Sequence, residues 1–286
     1  MIPQLHGIPK TVAARYAAPL DRVGKLLSAP ARYLRPGVIK DTLSGTRLGH
    51  PLHPVLTDVA IGSWTSAATL DVIGGGAAEP SADALIAIGV LFAVPTVLSG
   101  WSDWLDTEGE TRRIGVVHAV GNLSVVALYA GSWVARRRGK RPLGVTLGAV
   151  AAGIATATAY LGGHLVYSRG VGVDTTTFDQ IPETWTRVLD DAGQLAEGTP
   201  VLAYAKRVPI LLIRGADGID ALHDRCTHRG APLHKGVIKD GTVTCPWHES
   251  CFRLSDGEVL QGPATAPQPS LETRIAEGAV EVRRRQ

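Results

Sequence analysis

Long runs without charge dominate the first two thirds of the chain. Residues 84–102, 114–135 and 142–168 contain no Asp, Glu, Lys or Arg. A helix needs roughly 20 apolar residues to cross a bilayer, so the pattern predicts three transmembrane helices. A fourth is expected at about 54–74, although Asp58 and Asp71 lie in or at the end of it, because an even number of crossings is the simplest arrangement. Small residues recur inside the runs, as Gly153, Ala155 and Ala157 do in the last. Close helix packing in lipid favours them. Buried helices of a soluble protein are the alternative, but three such runs so close together exceed the usual soluble pattern.

The flanks differ. MIPQLHGIPK at the start has no apolar core, so no secretory signal peptide is expected. Residues 11–35 set Val12, Tyr16, Leu20, Val23, Leu26 and Leu27 against Arg15, Arg22 and Lys25 at roughly helical spacing, interrupted by Pro19 and Pro30. Short amphipathic helices on a membrane surface and an ordinary soluble helical segment fit equally. Residues 168–184 (SRGVGVDTTTFDQIPET) are Gly- and Thr-rich and read as a linker. Short β runs follow, VLAYA (201–205) and PILLIR (209–214), and ADGID, KDGTV and SDGEV each set an Asp-Gly turn between apolar runs. Asp-Gly is a strong hairpin signal. The expected architecture is multidomain: a basic amphipathic segment (1–47), a four-helix transmembrane α-bundle (48–168), a linker (169–183) and a small all-β domain (184–286).

Composition narrows the function classes. The 286 residues are 45% hydrophobic and 19% charged, too apolar for disorder. Residues 184–286 hold 13 Lys/Arg and 13 Asp/Glu, so the formal charge of +3 sits in the first 183 residues. No basic stripe is interleaved with aromatics, and nucleic-acid binding is not expected. The three cysteines all fall between 226 and 251. That is a local site rather than a disulfide framework.

Two segments carry the chemistry: Cys226-Thr-His228-Arg-Gly230 and Cys245-Pro-Trp-His248-Glu-Ser250. Each offers one thiolate and one imidazole two or three residues apart. One tight loop can therefore aim both at a single centre, and two such loops on adjacent hairpins would clamp it. A structural zinc site could use the same four residue types, but zinc spacings usually end in His-x₃₋₅-His.

This pattern resembles the Rieske [2Fe–2S] family, whose motif is Cys-x-His, 15–17 residues, then Cys-x-x-His. Gly230, Pro232, Leu233 and Gly236 fit its first loop, and Gly262-Pro-Ala-Thr265 its proline-bearing loop. The resemblance covers about 184–286. It implies that Cys226 and Cys245 bind one iron and His228 and His248 the other. Neutral imidazole in place of thiolate raises the potential over all-cysteine clusters. High-potential members carry a disulfide between the two loops, where this chain has Ala231 and Trp247, and a tyrosine where it has Phe252. Ser250 remains as a candidate hydrogen-bond donor to the cluster. A ferredoxin-type, lower-potential centre is expected. Glu249 stands where glycine is usual, adding negative charge near the cluster. Cys251 reads as a small buried apolar residue, and His223 and His234 as surface or loop residues. Only a short stretch follows Cys251, and what precedes the cluster is membrane helix. Electron transfer is therefore expected, rather than the complete reaction of a Rieske oxygenase.

Gly49-His50-Pro-Leu-His53-Pro54 resembles the signature of an uncharacterised four-helix membrane family, over roughly 45–168. Threading four helices places His50, His53, Asp58, His118 and His164 on one face with Trp101 and Trp104. Ionisable residues at membrane depth are usually functional. His118 with His164 would suit haem b or a quinone pocket, and His50, His53 and Asp58 a second metal site. Structural hydrogen bonds beside an aromatic belt are the alternative. The loop ARRRGKR argues for one topology and the eight Lys/Arg of residues 1–47 for the other. The absence of a disulfide favours a cytoplasmic Rieske domain on an integral protein of the cell membrane. The expected function is a membrane-anchored electron-transfer protein, with membrane lipid and a reductase, oxygenase or quinone as partners. The alternatives are a quinone- or haem-linked oxidoreductase and a zinc-bound interaction module.

Overall fold

The computed structural model describes residues 7–285, which divide into two compact units. One takes the chain up to Leu34 together with Leu52–Val171; the other takes Arg35–Pro51 and everything from Gly172. Residues 1–6, and with them His6 and most of the N-terminal decapeptide, lie outside the described residues.

Seven α-helices occur among the described residues, not four: α1 (Ile8–Arg15), α2 (Ala17–Ser28), α3 (Val38–Ser44), α4 (Leu52–Ile73), α5 (Glu79–Leu105), α6 (Gly109–Arg137) and α7 (Arg141–Tyr167). The three additional helices come from the N-terminal segment. Pro19 does not break α2, because it falls in the first turn, where a missing N–H is harmless. α5, α6 and α7 are long and apolar enough to cross a membrane. α4 has 22 residues, with Asp58 and Asp71 among them, and is not one of these three. α1 and α2 pack against α6. Asp21 accepts two bonds from Arg113 at 2.8 and 2.9 Å, and Gly24 lets α2 approach Val116 and Trp104 closely.

The long helices form two hairpins, α4–α5 and α6–α7, that repeat one set of contacts. His53 Nδ1 lies 2.9 Å from the Thr96 carbonyl, and His118 Nδ1 lies 2.9 Å from the Thr158 carbonyl. One turn beyond each carbonyl a glycine makes room for the ring. A Cβ at Gly100 would stand 2.6 Å from His53, and one at Gly162 3.2 Å from His118. Thr57 Oγ1 donates to the His53 carbonyl as Asn122 Nδ2 donates to that of His118. Counterparts meet between the hairpins: Trp64 stacks on Tyr129, and Asp71 pairs with Arg136. Ala60, Ala67, Ile86, Ala93, Val125 and Ala151 fill the core around the stacked rings. At one end Arg136 and Arg141 share Asp71 and Asp83, and Arg141 also reaches Glu79 at 3.1 Å. Large apolar side chains such as Leu91, Val94 and Val150 face outward, as a lipid-facing surface requires.

The second unit is all-β apart from α3 and short 3₁₀ turns. Its ten strands are β1 (Thr186–Leu189), β2 (Val201–Ala205), β3 (Val208–Gly215), β4 (Gly218–His223), β5 (Val237–Lys239), β6 (Thr242–Thr244), β7 (Cys251–Arg253), β8 (Val259–Gln261), β9 (Ser270–Ala276) and β10 (Ala279–Arg284). They form an antiparallel six-stranded sheet, ordered β1-β10-β9-β4-β3-β2, and a four-stranded sheet, β5-β6-β7-β8. The Asp-Gly turns join β3 to β4, β5 to β6 and β7 to β8. At Asp240-Gly241 both residues have positive φ (48° and 71°), the requirement of a type I′ hairpin. One apolar core centres on Ile210, Leu212 and Val280, and a second on Leu211, Leu233, Val243 and Phe252. Successive β3 residues thus serve opposite faces, as a strand's period of two dictates.

Candidate functional site

The two Cys–His segments are the loops that leave β4 and β6, each entering the smaller sheet on its far side. Cys226 and Cys245 are buried, 1% and 2% exposed, with their thiols in hydrogen-bond reach of each other. The two loops are built alike. The Cys226 sulfur receives the backbone N–H groups of His228 and Arg229, and the Cys245 sulfur those of Trp247 and His248. The Cys226 carbonyl accepts the Gly230 N–H at 2.8 Å, and the Cys245 carbonyl the Glu249 N–H at 3.2 Å. Each loop thus folds around its own sulfur. The shared hydrogen bond and burial push the Cys226 thiol up, while that bond and the backbone donors hold Cys245 below the ordinary thiol range.

The imidazoles form the second pair. His228 and His248 lie edge to face, ring centroids 5.0 Å apart at 85°. Burial, and then the neighbouring charges of His248, Lys40 and Arg229, keep His228 well below the ordinary histidine range. It is therefore neutral, as a metal ligand must be. Among the described residues no three His, Cys, Asp or Glu side chains gather round one point as ligands of a single ion. Two thiols on one side and two imidazoles on the other suit a binuclear cluster better than a tetrahedral zinc, which needs all four donors at one centre.

Surrounding groups lock the loops. Gln268, 1% exposed, accepts the Thr227 N–H at 3.1 Å and donates to the carbonyls of His223 and Arg225 at 2.6 and 2.7 Å. Asp224 binds the backbone N–H and Nδ1 of His234, both at 2.7 Å. Ser250 Oγ accepts the Ala264 N–H at 3.0 Å, tying the second loop to the proline-bearing loop, and keeps its own proton to donate. Thr175 donates to the Thr227 and Cys226 carbonyls, so the Gly/Thr-rich stretch is bonded to the first loop. Glu249 adopts φ +61°, the left-handed region natural to glycine. Trp247 is 57% exposed and packs edge-on to His248. Phe252 is fully buried, and Cys251 is half-buried rather than buried.

Other expected positions are placed differently. His223 is fully buried, not at the surface; it pairs with Asp179 at 2.9 Å and accepts the Arg225 N–H. His118 and His164 do not form a facing pair. The His118 nitrogens meet the Thr158 carbonyl and the Asn122 amide. Its ring packs beside Gly162, and His164, two residues on, projects about 200° round the helix. His50 is exposed and belongs to the second unit; in the helical unit His53 is bonded to the Thr96 carbonyl and Asp58 is exposed. Gln268, Asp224 and Asp41 (whose carboxylate accepts the Gly262 N–H at 2.9 Å) carry no local motif, and spacing alone gave no signal of them.

Comparison with known proteins agrees with this geometry. Residues 184–273 match the Rieske [2Fe-2S] domain. Over 89 residues the chain is 35% identical to the anthranilate 1,2-dioxygenase ferredoxin subunit of Burkholderia cepacia, covering 31% of this chain and 82% of that one. The chain belongs to the Rieske [2Fe–2S] family. Residues 49–175 match the predicted membrane protein family DUF2231. Apoptosis-inducing factor 3 of Mus musculus is 36% identical over 74 residues, 26% of this chain but only 12% of its own length. Among solved structures, the ferredoxin of carbazole 1,9a-dioxygenase from Nocardioides aromaticivorans IC177 is similar over 36% of this chain and all of its own, at 23% identity and a TM-score of 0.34. A Rieske domain implies a [2Fe–2S] cluster, and the paired thiols and paired imidazoles fit one.

Proposed function

We propose that this protein is a membrane-anchored Rieske ferredoxin that passes single electrons between a redox partner and the membrane. The observation that carries the reading is the pairing of donors: Cys226 with Cys245, and His228 with His248. Cys226 and Cys245 would hold one iron, and His228 and His248 the other. The cluster supplies one-electron storage. Backbone N–H groups at both sulfurs stabilise the added negative charge, and burial of the thiols keeps water from the sulfur side. The Burkholderia relative is named as a dioxygenase's ferredoxin subunit, which supports an oxygenase or reductase as partner here.

The helical half would anchor this centre through four crossings. α4 is included because it is the counterpart of α6 in the repeated hairpins. Four crossings bring both ends of the bundle to one side, here the cytoplasm. Two of the five cations in ARRRGKR are committed to ion pairs with Asp71, Asp83 and Glu79, which weakens their vote for the opposite topology. The engagement of both His118 nitrogens disfavours a haem ligated by His118 and His164.

The test uses detergent-purified full-length protein expressed with haem supplied. Two irons and two acid-labile sulfides per chain, with broad bleaching on dithionite reduction, are expected. Zinc in place of iron would overturn the reading. Sharp haem bands beside the bleaching would replace the simple anchor with a two-centre oxidoreductase.

A further inference from the structure

A segment far from the motif in sequence is built into the cluster unit. α3 and its flanks, Arg35–Pro51, belong with the β-sheets rather than with the long helices. Asp41, 6% exposed, accepts the Gly262 N–H in a buried bond. Gly262 has no space for a side chain, because a Cβ there would stand 2.1 Å from Thr46 Oγ1 and 3.1 Å from Asp41 Oδ1. From Gly262 the contacts continue inward. Ala264 donates to Ser250 Oγ, and the Ser250 carbonyl accepts the Cys245 N–H at 2.8 Å. A short chain of bonds therefore links Asp41 to a cluster loop. Lys40, also 6% exposed, brings its charge within reach of His228.

We propose that Lys40 and Asp41 are part of the cluster site: Asp41 positions the proline-bearing loop, and Lys40 holds a cation on the His228 side that favours the reduced cluster. Reduction brings in one electron from an external one-electron donor and makes or breaks no bond. The added negative charge is stabilised by a nearby cation, more strongly where water is excluded. This inference rests on the Rieske reading above.

The test is a dithionite redox titration of full-length, detergent-purified protein, followed by EPR and visible circular dichroism. Lys40→Gln should move the one-electron equilibrium at least tenfold toward the oxidised form, a potential lower by about 59 mV. Lys40→Arg should keep the wild-type potential. So should Lys239→Gln, whose side chain is 79% exposed. Asp41→Ala should alter the circular dichroism of the cluster and speed iron loss to a chelator at least tenfold. Asp41→Asn, whose amide oxygen still accepts from Gly262, should restore both. A Lys40→Gln potential no lower than that of Lys239→Gln overturns the role of Lys40. Wild-type spectra and iron retention in Asp41→Ala overturn the role of Asp41. Wild-type protein lacking a Rieske spectrum overturns the functional reading instead.

Discussion

Trp64 and Tyr129 stack with ring centroids 4.2 Å apart and planes 12° from parallel, and each is the other's counterpart in the two helical hairpins. Asp71 and Arg136 repeat the relationship at the same 65-residue offset. When a residue meets its own counterpart, both lie on an approximate twofold axis, as in an isologous dimer interface. The helical half is thus two hairpins of one build related by an approximate twofold axis. On that axis one counterpart pair is aromatic, and the other sets a carboxylate against a guanidinium.

The charged pair gives the first prediction. The Arg136 and Asp71 side chains are 1% and 7% exposed, and Arg136 also reaches Asp83. Arg136→Met leaves two carboxylates facing each other with only Arg141 between them. Removing one partner of a buried pair costs about 3–5 kcal/mol. Arg136→Lys, which lacks the planar fork, should lose part of that. Thermal unfolding in detergent reads the order wild type, Lys, Met. A Met variant that melts with the wild type would mean the network contributes nothing.

A second prediction concerns the imidazole pair. His248→Cys replaces a neutral ligand by an anionic one at a position already shaped for a donor. Iron should be retained, and the potential should fall toward the roughly −400 mV of all-cysteine plant-type clusters. A potential unchanged from wild type would show that His248 does not bind the cluster.

The motif loops were readable because their chemistry is local. Cys226, His228, Cys245 and His248 declare themselves by spacing, and Asp240-Gly241 fixes a hairpin through its own dihedral needs. The rest depends on contacts that sequence order hides. His223 reads as a surface residue because histidine is polar, and its bonds to Asp179 and the Arg225 N–H, which satisfy both ring nitrogens, explain its full burial. The bond from Gly262 to Asp41 joins residues at opposite ends of the chain, with no periodicity to announce it. The helical repeat is masked because most counterparts differ in type, Trp64 facing Tyr129, Thr57 matching Asn122 and Asp71 facing Arg136, while the histidines, their threonine partners and the glycines beside them agree. The spacing over residues 11–35 announces short helices there, but α3, seven residues long, has no apolar run to announce it.

Burial of His223 sets a pH dependence. Desolvation, opposed by Asp179, holds its pKa below the ordinary histidine value. Unfolded, the ring titrates near 6.5. Below that pH the unfolded chain binds a proton that the folded chain resists, so stability falls as pH falls. The slope is at most about 1.4 kcal/mol per pH unit. Above about 6.5 this contribution vanishes. Urea midpoints between pH 5 and 8 should slope more steeply for wild type than for His223→Gln; parallel slopes would refute the assignment.

Glu249 holds φ +61° in the turn after His248. A left-handed conformation costs a non-glycine residue about 1–2 kcal/mol. Glu249→Gly should recover roughly 1 kcal/mol, less the extra freedom glycine gains when unfolded. Removing the exposed carboxylate should also raise the potential slightly, and more at low salt. Chemical denaturation and potentiometry at two ionic strengths separate the backbone effect from the charge effect. A destabilised variant would show that the Glu249 side chain makes a contact worth more than the strain.

Gln268 is the strongest prediction for the loop framework. Its side-chain amide serves three backbone groups, the Thr227 N–H and the carbonyls of His223 and Arg225, on both sides of Cys226. Gln268→Ala strands them in a site with almost no access to water. Each buried unsatisfied group costs about 1–3 kcal/mol, so the variant should lose at least about 3 kcal/mol and release iron to a chelator faster. Gln268→Glu keeps an acceptor for Thr227 but brings a second acceptor to two carbonyls. It should therefore resemble Gln268→Ala in iron retention rather than wild type. If the Glu variant instead holds iron like wild type, the bond to Thr227 alone fixes the loop, and the two carbonyl contacts are incidental.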